Sequence, residues 1–345
     1  MNLRLLYVGS LRAGGNGLDR VALMESRGFC VIKADRHRYM AMGTRFERSL
    51  AARLNLGRGV RRFNLLLEAV AERDRFDVVF VDKGVWVRPQ TLRQLKSCAR
   101  LLVHYTPDAQ FREYRSRKFL RSLPDYDLSV TTKPFEIEDY RAAGATNVML
   151  IHQGFGGRIK PVPDDDIPDP LVSDVCFVGH YQSAYAHILR LLADRVPLAI
   201  WGPGWTEYAR THTWAKNVVR GGALFGKDYA SAISGAKIAI GLLSKRIPET
   251  TTTRSFEIPA CGTMLLAERT NDHMALFDEG REAEFFSTPA ELCDKAAYYL
   301  EHPVEREAIA AAGLARSWSS GYAIEDQFRS VIDWILCQIT PRAHS

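Results

Sequence analysis

Short, continuously apolar runs alternate with amphipathic stretches along the chain, and most apolar runs end on glycine or a polar residue. Leu3 to Val8 reads as a buried strand, followed by the turn Gly9-Ser-Leu-Arg-Ala-Gly14-Gly15-Asn-Gly17 and a helix to about Arg27. Gly28 stops that helix and Cys30 to Ala34 forms a second strand. A helix over Val60 to Glu72 leads into a strand from Phe76, tipped by Asp82, Lys83 and Gly84. Pro89 suits the first turn of the next helix. The strand from Leu101 then carries His104 and Asp108 at its tip, and Tyr126 to Thr131 and Val148 to Ile151 complete a six-strand series. Strand, helix, strand at this spacing predicts a doubly wound α/β domain, with ligands expected at the carboxyl ends of the strands. The first turn lacks the Gly-x-Gly-x-x-Gly spacing of a dinucleotide site, so Gly14 and Gly15 are candidates for acceptor or phosphate contact.

The pattern then breaks and restarts. Lys160 to Pro170 is rich in proline and aspartate and has no hydrophobic period, which marks a linker. Its Asp164-Asp165-Asp166 formally fits an Asp-x-Asp metal motif. That motif caps a buried strand, whereas this run lies between prolines, so no metal site is assigned. Beyond it, Asp174 to Val178 ends on Gly179-His180, Leu198 to Trp201 ends on Gly202-Pro-Gly204-Trp205, and Ile238 to Leu243 is followed by Lys245 and Arg246. The divisions expected are 1–158, a linker 159–173, a second α/β domain 174–322, and an amphipathic terminal helix within 323–345.

A length of 345 residues suits two domains, and 46% hydrophobic with 25% charged residues suits a water-facing globular chain. No run approaches the ~18 apolar residues of a membrane span. The six cysteines are scattered without metal-ligand spacing and read as small buried hydrophobes in a reducing setting, with the cytoplasm as the expected location. The net charge of +6 is concentrated in Arg36, Arg38, Arg45, Arg48, Arg53, Arg58, Arg61 and Arg62. Interleaved with Leu50, Leu54, Leu56 and Val60, these suit a solvated helix face, an anionic acceptor or the inner face of an anionic membrane. No nucleic-acid-binding motif accompanies them.

The most informative stretch is Glu249-Thr-Thr-Thr-Thr-Arg254-Ser-Phe-Glu257-Ile-Pro-Ala-Cys-Gly262-Thr-Met-Leu-Leu-Ala. The threonines favour a loop, Phe256 to Cys261 a short helix stopped by Gly262, and Met264 to Ala267 a buried strand. A helix N-terminus offers unpaired N–H groups to a phosphate, and Arg254 adds a forked cation at the same place.

This layout resembles the donor-binding segment of the two-domain GT-B glycosyltransferases, in which Glu-x7-Glu precedes a small-small-Gly turn. "VDKGVWVRPQTLRQLK", "HYTPDAQF", "TTKPFEIEDYRAAGATNVMLIHQGF", "FVGHYQ" and "IWGPGW" are similar, in order and spacing, to the spore-maturation-protein-B-type branch of that class, from about Leu5 to about Ile335. The resemblance implies two Rossmann-like domains facing across a cleft, with the terminal helix crossing back to the first. It implies a metal-independent, retaining hexosyl transfer, without cofactor, from a nucleoside diphosphate-sugar to a glycan, lipid-linked or protein acceptor, of the kind found in bacterial polysaccharide biosynthesis. Glu249 would face the transferred sugar and Glu257 hold the ribose. Arg254, Lys245 and Arg246 would neutralise the diphosphate, beside Gly179, His180, Gly202 and Trp205. His104 and Asp108 are candidate catalytic groups, and Asp82 and Lys83 candidate acceptor contacts. One departure stands out: relatives carry an arginine where this chain has Tyr185. A nucleotide-sugar epimerase and a non-catalytic glycan-binding homologue are the competing readings.

Overall fold

The computed structural model describes residues 3–44, 47–48, 54–113 and 115–340. Arg45, Leu50 and Arg53 of the basic segment lie outside the described residues. The chain forms two compact units, Met1–His152 with Ile324–Ser345, and Gln153–Ala323.

The first unit holds six parallel strands, β1 (Leu3–Gly9), β2 (Phe29–Asp35), β3 (Phe76–Asp82), β4 (Ala99–Thr106), β5 (Leu128–Thr131) and β6 (Val148–Leu150), in the order β2-β1-β3-β4-β5-β6. Both faces are covered, which is why these strands read as continuous apolar runs. Leu6, Val8, Val79, Val81 and Leu102 point to one side, against Phe63, Leu67 and Val70 of helix Arg58–Arg73 and Leu92 and Leu95 of helix Pro89–Ser97. Their alternates Leu5, Tyr7, Val78, Phe80, Val103 and Tyr105 point to the other side. There they meet Val21 and Met24 of helix Asn16–Ser26, together with Phe328, Val331, Ile332, Ile335 and Ile339 from the end of the chain.

The second unit repeats the plan with β7 (Ser173–Val178), β8 (Leu198–Trp201), β9 (Val219–Gly221), β10 (Ala236–Gly241), β11 (Met264–Glu268) and β12 (Glu284–Phe286), ordered β12-β11-β10-β7-β8-β9 and parallel throughout. Strand order reverses between β1 and β3 in the first sheet and between β7 and β10 in the second. The crevice outside those strand ends is where open α/β sheets receive ligands.

The division between units falls at His152, six residues before the expected boundary at 158. The reason is local packing. Phe155, Ile159 and Ile167 are buried, and Phe155 and Ile159 join the second core, so the segment expected to be a free linker is docked onto the unit it precedes. Asp164–Asp166 is a single exposed 3-10 turn rather than the cap of a strand.

Candidate functional site

The second unit builds its site around helix Thr253–Ala260. The run of threonines does form the loop into it, but the helix begins three residues before the expected Phe256, because Thr252 closes a reciprocal capping box with Ser255. Ser255 Oγ accepts the Thr252 N–H at 3.0 Å. At the far end Gly262 takes a φ of 77°, which stops the helix and turns the chain into β11.

Glu257 lies one turn in and is 6% exposed. Its Oε2 accepts the Tyr229 hydroxyl at 2.5 Å, from helix Gly226–Ser234. Burial, then the Glu257 charge, pushes the Tyr229 pKa well up, so Tyr229 stays a donor. Arg254 is half-buried with its guanidinium carbon 6.0 Å from the Phe177 ring centre, and its buried Nε makes no hydrogen bond among the described residues. Phe177 is the penultimate residue of β7, so Arg254 stands at the carboxyl edge of the sheet. The loop after β10 closes on the same edge: Glu249 accepts the Ser244 N–H at 3.1 Å, and Gln182 donates to Ser244 Oγ at 3.5 Å. His180 and Arg246 are exposed beside these loops.

Three expectations need correction. Lys245 is not a spare cation: its ammonium is paired with Glu268, whose other oxygen accepts the Leu243 N–H at 2.7 Å. Trp205 is not a donor contact. It is fully buried and its indole N–H donates to the Gly179 carbonyl at 3.0 Å. Gly202 is likewise a packing residue, since a Cβ there would sit 1.8 Å from the same carbonyl. Gly179 therefore acts through its backbone, as the point where two loops touch.

Tyr185 also finds a structural explanation. It is 3% exposed and packs edge-on against Phe177 with ring centres 5.7 Å apart. The position expected to hold a cation belongs to the core here, and Arg254 is the cation that lies over the same ring.

One residue escaped sequence reading. His273 is wholly buried and stacked on Phe285; its Nδ1 lies 2.6 Å from the Glu268 carbonyl oxygen and its Nε2 2.7 Å from Ser255 Oγ. A carbonyl can only accept, so Nδ1 carries the proton and Nε2 accepts from Ser255. Burial lowers its pKa and keeps the ring neutral. The capping box, Ser255, His273 and the end of β11 thus form one chain of hydrogen bonds that holds the helix start. Thr270 donating to the Thr250 carbonyl at 2.9 Å secures the threonine loop to the same segment. Only a histidine 18 residues from Ser255 in sequence hinted at this, and no spacing rule singles it out.

In the first unit, the carboxyl edge of β1, β3 and β4 carries a second polar cluster. Asp82 Oδ2 takes the Tyr7 hydroxyl at 2.7 Å and the Arg20 guanidinium at 2.6 Å, with both charged side chains almost fully buried. Burial would raise the Asp82 pKa, yet Arg20 and Lys83 hold it below the ordinary value. Its Oδ1 is buried with no hydrogen-bond partner among the described residues. Lys83, the next residue, adopts a φ of 70°, an uncommon conformation for a side chain with a Cβ, and pairs with Asp108 at 2.6 Å. Asp108 is therefore an ion-pair partner rather than a free carboxylate. His104 needs correction too. It is fully buried against Phe119 and Tyr126, and burial lowers its pKa to about 4, so it cannot touch a substrate. Gly14 and Gly15 are half-buried in the turn leading to helix Asn16–Ser26, with Gly14 at a φ of 72° and Gly15 as the N-cap.

Residues 183–332 match a family model described as glycosyl transferase-like. No curated protein matches the chain in sequence. Among solved structures, HepE of Anabaena in complex with UDP and glucose is similar at a TM-score of 0.65 and 16% identity, over 97% of this chain and 100% of HepE. Sucrose-phosphate synthase of Thermosynechococcus elongatus is similar at 0.67 and 13%, over 98% and 100%. A candidate UDP-N-acetylglucosamine 2-epimerase of Listeria monocytogenes is similar at 0.52 and 13%, over 96% and 97%. The fold is GT-B, with two Rossmann-like domains.

Proposed function

We propose that the protein is a glycosyltransferase that takes a sugar from a nucleoside diphosphate-sugar and passes it to a hydroxyl of a glycan, lipid-linked or protein acceptor. The observation that carries this reading is Arg254, a half-buried guanidinium with an unpartnered Nε at the N-terminus of a capped helix, one turn before the buried Glu257. A cation and a helix start at one point suit a diphosphate, and the carboxylate one turn on suits a ribose diol. The match of residues 183–332 to the glycosyl transferase-like family and the UDP bound by HepE support the same reading.

In the transfer, the bond from the anomeric carbon to the diphosphate oxygen breaks, the acceptor oxygen bonds to that carbon, and the acceptor proton leaves with the diphosphate. Arg254 and the first N–H groups of the helix would stabilise the charge growing on the leaving oxygen, where fixed donors contribute most. Glu257, held by Tyr229, would accept from the ribose hydroxyls. Glu249 is assigned to the face of the transferred hexose, and retention of configuration follows from that placement. The acceptor is assigned to the first unit's polar cluster, with Lys83 and Asp108 as its contacts and the buried Asp82 beside them.

Nucleotide-dependent thermal stabilisation tests the donor site. One nucleoside diphosphate at about 100 times its dissociation constant should stabilise the protein by about 2.7 kcal/mol. Arg254→Ala should abolish the shift without lowering the melting temperature of the unliganded protein by a comparable amount, whereas Glu257→Ala should abolish it and also lower that temperature, because it strands the buried Tyr229 hydroxyl. Absence of a shift with every nucleotide would move the assignment to a non-catalytic binding protein. Turnover of a nucleotide-sugar without any acceptor hydroxyl would move it to the epimerase chemistry named for one structural neighbour.

A further inference from the structure

Among the described residues of the first unit, five large apolar side chains are exposed: Met40, Leu54, Leu56, Leu65 and Leu150. Four of them lie in one segment, and the same segment supplies the exposed arginines Arg38, Arg48, Arg58, Arg61 and Arg62. On helix Arg58–Arg73 the outward positions 58, 61, 62 and 65 recur at helical spacing, opposite the buried Val60, Phe63, Leu67 and Val70. Val60, expected to join this face, belongs instead to the core.

The short helix His37–Met40 lies directly beside it. The Tyr39 and Phe63 rings are 5.6 Å apart, and a Cβ on Gly59 would fall 2.3 Å from the Tyr39 carbonyl. The short helix therefore flanks the longer one on its core side, and residues 54–57 run directly into the longer helix, so the exposed arginines and leucines come from adjoining pieces of one segment. Its acids are few. Glu47 pairs with Arg58 at 3.0 Å and Asp35 reaches Arg38 at 3.7 Å, which leaves Arg48, Arg61 and Arg62 without an ion-pair partner among the described residues. No lysine occurs between Lys33 and Lys83.

We infer that this face, residues 37–44 with 54–65, docks the first unit on an anionic lipid bilayer. Guanidinium groups grip phosphate oxygens in pairs, and aliphatic side chains between them reach below the headgroups. A nucleic acid would use the arginines and leave the leucines in water. An acidic protein would use the charge in the same way, but a lipid phosphate layer is the surface that accepts both groups at one depth. This inference goes beyond the glycosyl-transfer reading and stands without it, because binding to lipid requires neither nucleotide nor turnover.

The test is sedimentation of the full chain with sucrose-loaded vesicles, either pure phosphatidylcholine or equal parts phosphatidylcholine and phosphatidylglycerol, at low and high salt and without nucleotide. Binding is expected only to the anionic vesicles and should weaken with salt. Removing an arginine should cost about fivefold in affinity, so Arg61→Gln with Arg62→Gln should cost about twenty-five-fold. Leu54→Ser with Leu65→Ser should also lose binding several-fold, whereas Val304→Ser, an 81% exposed site in the other unit, should leave it unchanged. These are surface changes, and unchanged thermal melts will show that each variant folds. No sedimentation with anionic vesicles overturns the inference. So does equal binding to neutral vesicles, or full binding by the leucine variant, which would identify a patch read by charge alone, as an acidic protein would read it.

Discussion

A buried histidine makes the clearest statement at the scale of one residue. His104 titrates near 6.5 in an unfolded chain, and burial against aromatic rings lowers it to about 4 in the folded one. Between those values the unfolded chain binds a proton that the folded chain refuses, so stability falls as pH drops through the window. The expected loss between pH 7 and pH 5 is about 2 kcal/mol from this residue. His273, also lowered by burial, adds to it in the same direction. Asp82 does not contribute there: its pKa is depressed, so its stabilisation is lost only below the ordinary carboxylate range. Urea midpoints at the two pH values should therefore differ less in His104→Phe, which keeps an aromatic ring in the cage, than in wild type. Equal pH dependence in the two proteins would show that folding leaves the His104 pKa near its ordinary value. Such facts were invisible in sequence. A histidine at a strand tip reads as a catalytic base until one knows which face of the sheet it points to. Ion pairs such as Arg20 with Asp82, 62 residues apart, carry no local signature at all.

At the scale of elements, the apolar runs were legible because parallel strands are buried on both faces and so leave an uninterrupted hydrophobic trace. The segment from Glu249 to Ala267 was legible too, since threonine, a helix stop at Gly262 and a run of leucines each have one conformational preference. Its exact start was not, because a capping box made from threonine and serine looks like more loop. That start is where the hydrogen-bond chain through His273 acts. Thr252→Ala should cost about 1 kcal/mol of stability through loss of the cap. His273→Ala, which strands Ser255, should cost about 1–3 kcal/mol and weaken nucleoside diphosphate binding several-fold by calorimetry. His273→Gln, whose amide oxygen can still accept from Ser255, should recover part of that affinity. Unchanged affinity in a folded His273→Ala would confine the residue to core packing.

For the molecule as a whole, the decisive feature is that one unit is assembled from two separated pieces of chain. Ile324, Phe328, Val331, Ile332, Ile335 and Ile339 are buried and line the first sheet's face alongside Tyr7, Phe80 and Tyr105. At about 1.5–3 kcal/mol for each buried apolar side chain, their removal forfeits roughly 10 kcal/mol, comparable to the entire stability of a domain. A chain ended at Ala323 should retain the cooperative melt of the 153–323 unit and lose that of the first, with dye binding to the bared sheet. Two intact melts would show that the first sheet needs no such cover. The amphipathic spacing of these residues was readable; the face they cover was not.

That arrangement also sets an order of events during synthesis. The ribosome delivers the first six strands, then the whole of the 153–323 unit, and only afterwards the residues that seal the first sheet. At about 5–20 residues per second, roughly 190 residues separate the end of β6 from Ile339, an interval of about 10–40 seconds. Throughout it the nascent first unit shows Tyr7, Phe80 and Tyr105 to solvent, and a chaperone that covers flat aromatic surfaces has its natural client in that half-made sheet.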